Sequence, residues 1–303
     1  MVKSGLVLEG GGMRGIYTAG VLDVLGEHGV GFDEVVGVSA GAIHAASFLA
    51  GQHGRSIRYY LAFCRDPRFM GIRSLFCTGD FVNYGFCYHS IPEKLVPLDY
   101  EHFEKCGSEF YAVATNVECG CAEYLRVESL RGKGMEAIRA SASLPLVSKM
   151  VHYEGMKLLD GGTSDSIPFE FMRSRVGNKC VVVLTQVKGY KKRPEMNRLY
   201  RLLYRKYPEY LRTVETRYKR YNSDIETIER LEARGELFVF RPSEFVHVHR
   251  LERDPAKILA MYELGRRDAM ERLSSLMEFL ALDLPSRVSA FERESVLREG
   301  KPL

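Results

Sequence analysis

The sequence has no run of about 18 apolar residues, and we therefore expect no transmembrane helix. The N-terminal MVKSGLVLEGGG lacks the long apolar segment and the small-residue cleavage site of a secretory signal peptide. The seven cysteines are odd in number and scattered, which is typical of free thiols in a reducing compartment. From these absences we expect a cytoplasmic protein, with peripheral contact at the inner membrane face left open.

The chain also has little net charge, but that charge is unevenly distributed. The formal net charge of the 303 residues is +4, whereas residues 188–220 contain twelve Lys and Arg against three Glu. This basic segment indicates either a contact for anionic membrane headgroups or the solvated face of a helix packed on the core. No nucleic-acid recognition motif accompanies it, so we expect no nucleic-acid partner, and the oligomeric state stays open.

The order of the N-terminal elements predicts an α/β fold. Residues 5–9 and 32–37 have the pattern of short buried strands, and residues 16–28 and 40–50 have the pattern of helices. This alternation is typical of a mostly parallel sheet with helices on both faces. Further strands or hairpins are predicted at 110–117, 122–127, 150–162 and 180–186, with a helix at 133–142.

Residues 66–92 are aromatic-rich, interrupted by glycines and without clear periodicity. Long excursions of this kind often wall a binding pocket. Together with residues 144–151, we expect this segment to exclude water from a site.

The character of the chain changes after residue 188. Apolar positions over residues 196–221 recur at helical spacing, with Pro208 restarting or kinking the helix. A late strand is predicted at 236–243 and a long helix at 254–282. We therefore divide the chain into a catalytic domain, residues 1–188, and a C-terminal helical extension with one late strand, residues 189–303.

The segment Gly37-Val38-Ser39-Ala40-Gly41 is a G-x-S-x-G between a predicted strand and a predicted helix. This is the local pattern of a nucleophile elbow, in which small residues are needed because the turn is tight. The helix that follows directs its N-terminus at the serine, where it favours developing negative charge. The pattern predicts Ser39 as a nucleophile, and the alternative is a plain turn with Ser39 as a helix cap.

A second motif, Gly10-Gly11-Gly12-Met13-Arg14-Gly15, follows the first strand. Successive glycines let backbone N–H groups converge on one point, which is the geometry of an oxyanion hole. Arg14 either braces this loop, adds positive potential or is an ordinary surface residue. The same segment satisfies G-x-G-x-x-G, but the acid that a dinucleotide site needs at the end of the second strand is replaced by Gly37-Val38-Ser39.

The third motif, Asp160-Gly161-Gly162, follows two leucines, so the aspartate ends an apolar strand. An acid that meets Ser39 at such a strand end could act as its base. By itself the motif is weak, because Asp-Gly is a common turn.

In this order and context the three motifs resemble those of the patatin-like phospholipases, and residues 140–145 (ASASLP) are similar to the family's A-S-x-S-x-P block. The resemblance covers roughly residues 5–175 and extends through the strand at 180–186. It implies a three-layer patatin-like fold and a Ser39–Asp160 dyad, with the glycine loop as oxyanion hole. It also implies hydrolysis of lipid ester bonds through an acyl-enzyme, with no metal or cofactor.

Two rival interpretations remain: a catalytically silent lipid-binding protein of the same fold, and a dinucleotide-binding oxidoreductase. A Ser-His-Asp triad would need a histidine after the acid, and His247 is the candidate. His44 follows Ser39 by five positions and is expected to face elsewhere. His247 and His249 alternate on a predicted strand, but no carboxylate or cysteine cluster completes a metal site, and we predict none.

Overall fold

The computed structural model describes residues 3–281 and is built on an eight-stranded mixed sheet. Its strands are β1 (Gly5–Leu8), β2 (Glu34–Val38), β3 (Glu109–Asn116), β4 (Ala122–Arg126), β5 (Val151–Tyr153), β6 (Met156–Asp160), β7 (Cys180–Val183) and β8 (Phe238–Phe240). Their order across the sheet is β5-β6-β3-β2-β1-β7-β8, and β4 also pairs with β3. The run from β3 to β8 is parallel, whereas β4, β5 and β6 make antiparallel pairs.

Helices pack on both faces of this sheet because successive strand residues point to opposite sides. Leu6 and Leu8 of β1 belong to one hydrophobic layer, and Val7 belongs to the other. The helices are α1 (Ile16–Glu27), α2 (Ala40–Leu49), α3 (Arg55–Phe63), α4 (Ile72–Thr78), α5 (Tyr100–Lys105), α6 (Lys133–Ser141), α7 (Phe169–Val176), α8 (Arg198–Leu203), α9 (Pro208–Ala233) and α10 (Pro255–Leu280), with a π-helical segment at Phe86–Leu95. The first layer receives α1, α2 and α10, and the second receives α7 and α9. The predicted three-layer α/β fold is therefore confirmed.

Two predictions of local structure differ from the structure. Residues 66–92 contain the regular helix α4 and the start of the π-helical segment, because tertiary packing orders a sequence with little periodicity of its own. The helical stripe over 196–221 is divided into α8 and α9, and Pro208 begins α9, which is the restart that the sequence predicts as one of two alternatives. The late strand covers only Phe238–Phe240, since it pairs only over those residues with β7, and the two histidines beyond it lie in a loop.

The C-terminal part of the chain packs on the same sheet and helices as the N-terminal part. Strand β8 extends the sheet beyond β7, and α10 lies against α1. The buried hydroxyls of Tyr17 and Tyr262 donate hydrogen bonds between these two helices, to Asp268 at 3.0 Å and to Asp23 at 2.7 Å. The division into domains at residue 188 stays a prediction. The predicted last residue of the final helix, 282, lies outside the described residues.

Candidate active site

Ser39 occupies the tight turn between β2 and α2. Its backbone has φ 54° and ψ −120°, a strained conformation for a residue other than glycine. A Cβ atom on Gly41 would lie 2.5 Å from the Leu8 carbonyl oxygen, so a glycine is required where α2 crosses β1. The Ser39 hydroxyl makes no capping hydrogen bond to α2, and the alternative of a simple cap is therefore not what the structure shows.

Strand β3 brings Ser39 and Asp160 together. Val38, the last residue of β2, pairs with Val113, and Asp160, the last residue of β6, pairs with Ala114. Strand β4 pairs with the opposite edge of β3 at both Val113 and Ala114. The two strands β2 and β6 therefore end against each other along one edge of β3, with the serine and the aspartate at their junction.

The carboxylate of Asp160 is buried and only half satisfied. Its Oδ1 accepts a hydrogen bond from the Gly162 N–H at 2.8 Å, whereas its buried Oδ2 has no partner among residues 3–281. Burial raises the pKa of Asp160, and the nearby Ser39 hydroxyl and the Arg217 charge oppose this effect only in part. The Ser39 hydroxyl thus lies close enough to stabilise the carboxylate, although the two side chains do not form a hydrogen bond of standard geometry. Asp160 Oδ2 is available as a proton acceptor.

The segment 140–145 holds the serine and the aspartate in place from one side. The Ser141 hydroxyl accepts a hydrogen bond from the Ser39 N–H at 2.8 Å. The Ser143 carbonyl accepts one from the Asp160 N–H, also at 2.8 Å. The hydroxyl of Ser141 is therefore needed for its contact, whereas Ser143 holds Asp160 through its backbone carbonyl.

The glycine loop divides into N–H groups that are occupied and N–H groups that are free. The Met13 N–H donates to the Arg250 carbonyl at 3.0 Å, and the Arg14 N–H donates to the Gly11 carbonyl at 3.3 Å. The N–H groups of residues 10–12 have no acceptor within the described part of the chain. Six residues were predicted to form the oxyanion hole. Of these, the three glycines at the start of the loop therefore have N–H groups that are available to a ligand.

Side chains behind the loop keep it in this shape. Buried Glu9 accepts hydrogen bonds from the Thr185 N–H at 2.6 Å and from the Tyr221 hydroxyl at 2.8 Å. With the amide of Gln186 oriented so that its oxygen faces Arg14, this oxygen accepts from Arg14 Nη1 at 2.8 Å. Arg14 therefore braces the loop, which is one of the roles considered for it.

Two pockets meet at Ser39 and have opposite character. The first is lined mainly by apolar side chains, as is typical of small-molecule sites. Residues 66–92 contribute much of its wall, together with α2, α3 and α6. Its apolar lining includes Ile43, Tyr60, Met70, Tyr88, Ile91 and Ile138.

The second pocket is polar and contains Ser39, Asp160 and the glycine loop. Three cations, Lys192, Arg217 and Arg250, also line it. These cations were not among the predicted site residues, because they come from three separate segments and follow no motif. The only sequence signal that relates to them is the excess of positive charge over residues 188–220.

The histidines considered as alternatives lie elsewhere. Burial lowers the pKa of His44 to about 3, and its Nδ1 is 3.0 Å from the Ser56 hydroxyl. His247 and His249 are exposed and contact each other, with 3.0 Å between their Nε2 atoms. Neither lines the two pockets that contain Ser39.

Comparisons with known proteins give matches in both the N-terminal and the C-terminal part of the chain. The profile described as patatin-like phospholipase matches residues 6–173, and that of a domain of unknown function (DUF6363) matches residues 207–281. The "Uncharacterized protein YjjU" of Escherichia coli is 30% identical over 187 residues, which are 60% of this chain and 51% of that protein. "Lysophospholipase nte1" of Emericella nidulans is 31% identical over 176 residues, 56% of this chain and 11% of that protein. The chain thus spans about half or less of the length of these relatives.

Among solved structures, VipD from Legionella pneumophila is similar with a TM-score of 0.48 and 14% sequence identity, over 91% of this chain and 67% of that one. The match to the family profile spans more than half of the chain and includes Ser39, Asp160 and the glycine loop. It leaves the interpretation as a dinucleotide-binding oxidoreductase without support. The chain belongs to the patatin-like phospholipase family, a family of lipid acyl hydrolases.

Proposed function

We propose that the protein hydrolyses a carboxylic ester of a lipid, with Ser39 as nucleophile and Asp160 as general base. The observation that carries this proposal is the buried Asp160 carboxylate, which lies close to the Ser39 hydroxyl and whose Oδ2 has no partner in residues 3–281. A buried polar oxygen is normally hydrogen-bonded, and exceptions are often functional. Its raised pKa also makes the carboxylate a better base than an ordinary aspartate.

The reaction needs only the groups at this site. Asp160 Oδ2 takes the Ser39 proton while Oγ attacks the ester carbonyl, and the N–H groups of residues 10–12 donate to the resulting oxyanion. The alcohol leaves with the proton held by Asp160, and the acyl group stays on Ser39. Water then transfers a proton to Asp160 and attacks the acyl-enzyme, which releases the fatty acid and restores the serine hydroxyl.

The apolar pocket supports a lipid acyl chain as the group that is transferred. It starts at Ser39 and continues between α2, α3, α6 and the π-helical segment, with tyrosine, methionine and aliphatic side chains as its wall. Relatives named lysophospholipases support a substrate of the phospholipid or lysophospholipid class over other esters. A catalytically silent protein would not explain why a buried carboxylate oxygen and the glycine N–H groups have no hydrogen-bond partner in the described residues.

The test is labelling with a fluorophosphonate probe together with hydrolysis of a p-nitrophenyl ester. We expect the wild type to be labelled at Ser39 and to turn over, Ser39→Ala to show neither, and Asp160→Asn to lose about 10²–10⁴-fold in rate. Ser174→Ala is the control, because Ser174 is exposed and bonds only the Phe171 carbonyl. A wild type that is neither labelled nor active, even with lipid vesicles present, would instead support the silent lipid-binding protein.

We further propose a peripheral membrane contact, carried by two exposed apolar helices beside the site. Leu199, Leu202 and Leu203 of α8 are exposed, and Phe76 of α4 is 86% exposed. Both helices adjoin residues 144–149, which border the polar pocket: the Tyr204 hydroxyl accepts from the Leu146 N–H, and the Phe81 N–H donates to the Val147 carbonyl. Exposed leucines beside arginines on one short helix are typical of an interfacial segment.

Co-sedimentation with vesicles that contain anionic lipid tests this contact. Phe76→Asp and Leu202→Asp are expected to reduce the bound fraction several-fold, because each places a charge where an apolar side chain would enter the interface. Leu259→Asp on α10 is the matched control, since Leu259 is also an exposed leucine. Equal binding of all three variants and the wild type would contradict the proposal. No helix within residues 3–281 is both long and apolar enough to span a bilayer.

A further inference from the structure

The polar pocket contains a positive cluster that ester hydrolysis does not require. Lys192, Arg217 and Arg250 converge on it from the loop after β7, from α9 and from the loop before α10. All three lie outside residues 6–173, which match the catalytic family, and two lie within residues 207–281, which match the domain of unknown function. The C-terminal part of the chain thus supplies positive charge to the pocket that contains Ser39.

The charges of this cluster are only partly compensated. Glu195 binds both arginines, with Oε2 at 2.5 Å from Arg217 Nη1 and Oε1 at 2.9 Å from Arg250 Nη2. Glu195 is thus the direct ion-pair partner of both guanidinium groups, and the Asp160 carboxylate of the same pocket acts on them at longer range. In addition, Arg217 Nε is buried without a hydrogen-bond partner in the described residues.

Lys192 is the third basic group of this cluster, and the carboxylates of Glu9 and Glu195 act on it only at longer range. Lys192 is 7% exposed, and its ammonium group forms no ion pair within residues 3–281. The nearest contacts of its Nζ are the Ser166 hydroxyl at 3.5 Å and the Tyr221 ring centroid at 3.9 Å. Burial, together with the positive charge of Arg217, lowers the pKa of this lysine well below its usual range. A buried ammonium in this position is destabilising unless an anion joins it.

We propose that Lys192, Arg217 and Arg250 form a phosphate-binding site that holds the phosphate of a glycerolipid headgroup while its acyl ester lies at Ser39. Guanidinium and ammonium groups are the usual partners of phosphate oxygens, and a phosphate would supply the missing negative charge. This inference rests on the proposed function and narrows its substrate from acyl esters in general to phosphate-bearing lipids.

The arrangement of the two pockets gives the substrate one orientation. Both pockets include Ser39, Gly12 and Leu144, so they join at the nucleophile. An acyl chain in the apolar pocket and a phosphate in the basic pocket leave the ester carbonyl between them, beside the free N–H groups of the glycine loop. A neutral monoacylglycerol would fill the first pocket but leave the cations of the second uncompensated.

The first experiment measures binding without catalysis. The full-length Ser39→Ala protein is titrated with glycerol 3-phosphate, with inorganic phosphate and with glycerol by calorimetry. We expect glycerol 3-phosphate to bind, glycerol not to bind, and the added substitution Lys192→Met to weaken glycerol 3-phosphate about tenfold or more. Lys191→Met is the matched control, because Lys191 is the neighbouring lysine, is 59% exposed and pairs with Glu226.

The second experiment measures specificity in the active protein. The ratio of kcat/KM for a lysophospholipid to kcat/KM for the monoacylglycerol with the same acyl chain is compared among variants. Lys192→Met and Arg217→Gln are expected to lower this ratio about tenfold or more, and Lys191→Met and Arg212→Gln are expected to leave it unchanged. Arg212 also lies on α9, but it is exposed and pairs with Glu209.

The outcomes separate the two proposals. Binding of glycerol 3-phosphate that depends on Lys192, together with a wild type that shows no esterase activity, supports the phosphate site and contradicts the hydrolase. Activity with an unchanged ratio in both variants contradicts the phosphate site. Inorganic phosphate that binds as tightly as glycerol 3-phosphate, again with an unchanged ratio, identifies a site for free phosphate and overturns the headgroup role.

Discussion

The hydroxyl of Ser141 accepts a hydrogen bond from the backbone N–H of Ser39 at 2.8 Å, although 102 residues separate the two in the sequence. The elbow leaves this N–H without a strand or helix partner, so a side chain from the end of α6 satisfies it. Ser141 is fully buried and lines neither pocket that contains Ser39. We therefore expect Ser141 to position the proposed nucleophile, Ser39, without contacting the substrate.

Ser141→Ala is expected to lower kcat by about tenfold or more while it changes KM little, because the elbow loses the bond that orients it. It also leaves a buried N–H unsatisfied, at a cost of about 1–3 kcal/mol in the free energy of unfolding. Steady-state kinetics and denaturant unfolding measure the two effects. Ser143→Ala is the control, since its hydroxyl bonds only the Arg139 carbonyl and its own carbonyl still holds Asp160. A KM effect alone would contradict a positioning role.

The pH dependence of hydrolysis is expected to follow Asp160. Its pKa is raised, chiefly by burial, and the carboxylate must be ionised to act as a base. Activity should therefore fall as the pH is lowered, with a midpoint above the ordinary value of about 3.9 for an aspartate. The measurement is the pH profile of kcat/KM with an uncharged p-nitrophenyl ester. A profile that stays flat down to about pH 4 would be incompatible with this assignment.

Asp160→Asn is expected to stabilise the fold while it slows hydrolysis by about 10²–10⁴-fold. Because the pKa of Asp160 is higher in the folded than in the unfolded state, its contribution to stability is greatest below the unfolded pKa and is lost as the pH rises through the folded pKa. Asparagine does not ionise, and its oxygen can still accept from the Gly162 N–H.

Thermal unfolding of the two proteins across the pH range measures this effect. The variant should have the higher Tm near about pH 8, and the difference should shrink as the pH falls through the raised pKa of Asp160, because the aspartate then takes up its proton. A wild type more stable than the variant at neutral pH would show that the ionised carboxylate stabilises the fold instead.

Gly12→Ala is expected to disable the oxyanion loop. Gly12 has φ +57°, and a Cβ at this position would lie 2.6 Å from the Arg250 carbonyl oxygen, which accepts the Met13 N–H. A displaced loop should lower kcat by about 10²–10³-fold, the usual effect of a lost oxyanion donor. Gly29→Ala is the matched control, because Gly29 has φ +72° but no atom within 4 Å of the added Cβ. Equal losses in the two variants would assign the effect to backbone strain alone.

Local sequence patterns predict the strands and helices around the site. They do not predict elements whose formation depends on packing against distant parts of the chain. The elbow helix and the hairpin that ends at Asp160 follow from small residues, alternation and turn glycines within a few positions. Helix α4 was missed because a seven-residue helix has little stability of its own and depends on its neighbours. The sequence predicts that Pro208 restarts or kinks the helix, but it does not predict where α8 ends, since a proline does not specify how many residues before it leave the helix.

The sequence by itself determined the chemical groups: a serine in a tight turn, a glycine loop with N–H groups to spare, and an aspartate at a strand end, each specified by adjacent residues. Only the tertiary structure decided how these groups meet, because the junction of β2 and β6 depends on which edge of β3 each strand occupies. The same holds for Lys192, Arg217 and Arg250, which no motif connects. Their convergence beside Ser39 is a consequence of how distant segments pack, and such long-range contacts leave no periodic signal in the chain.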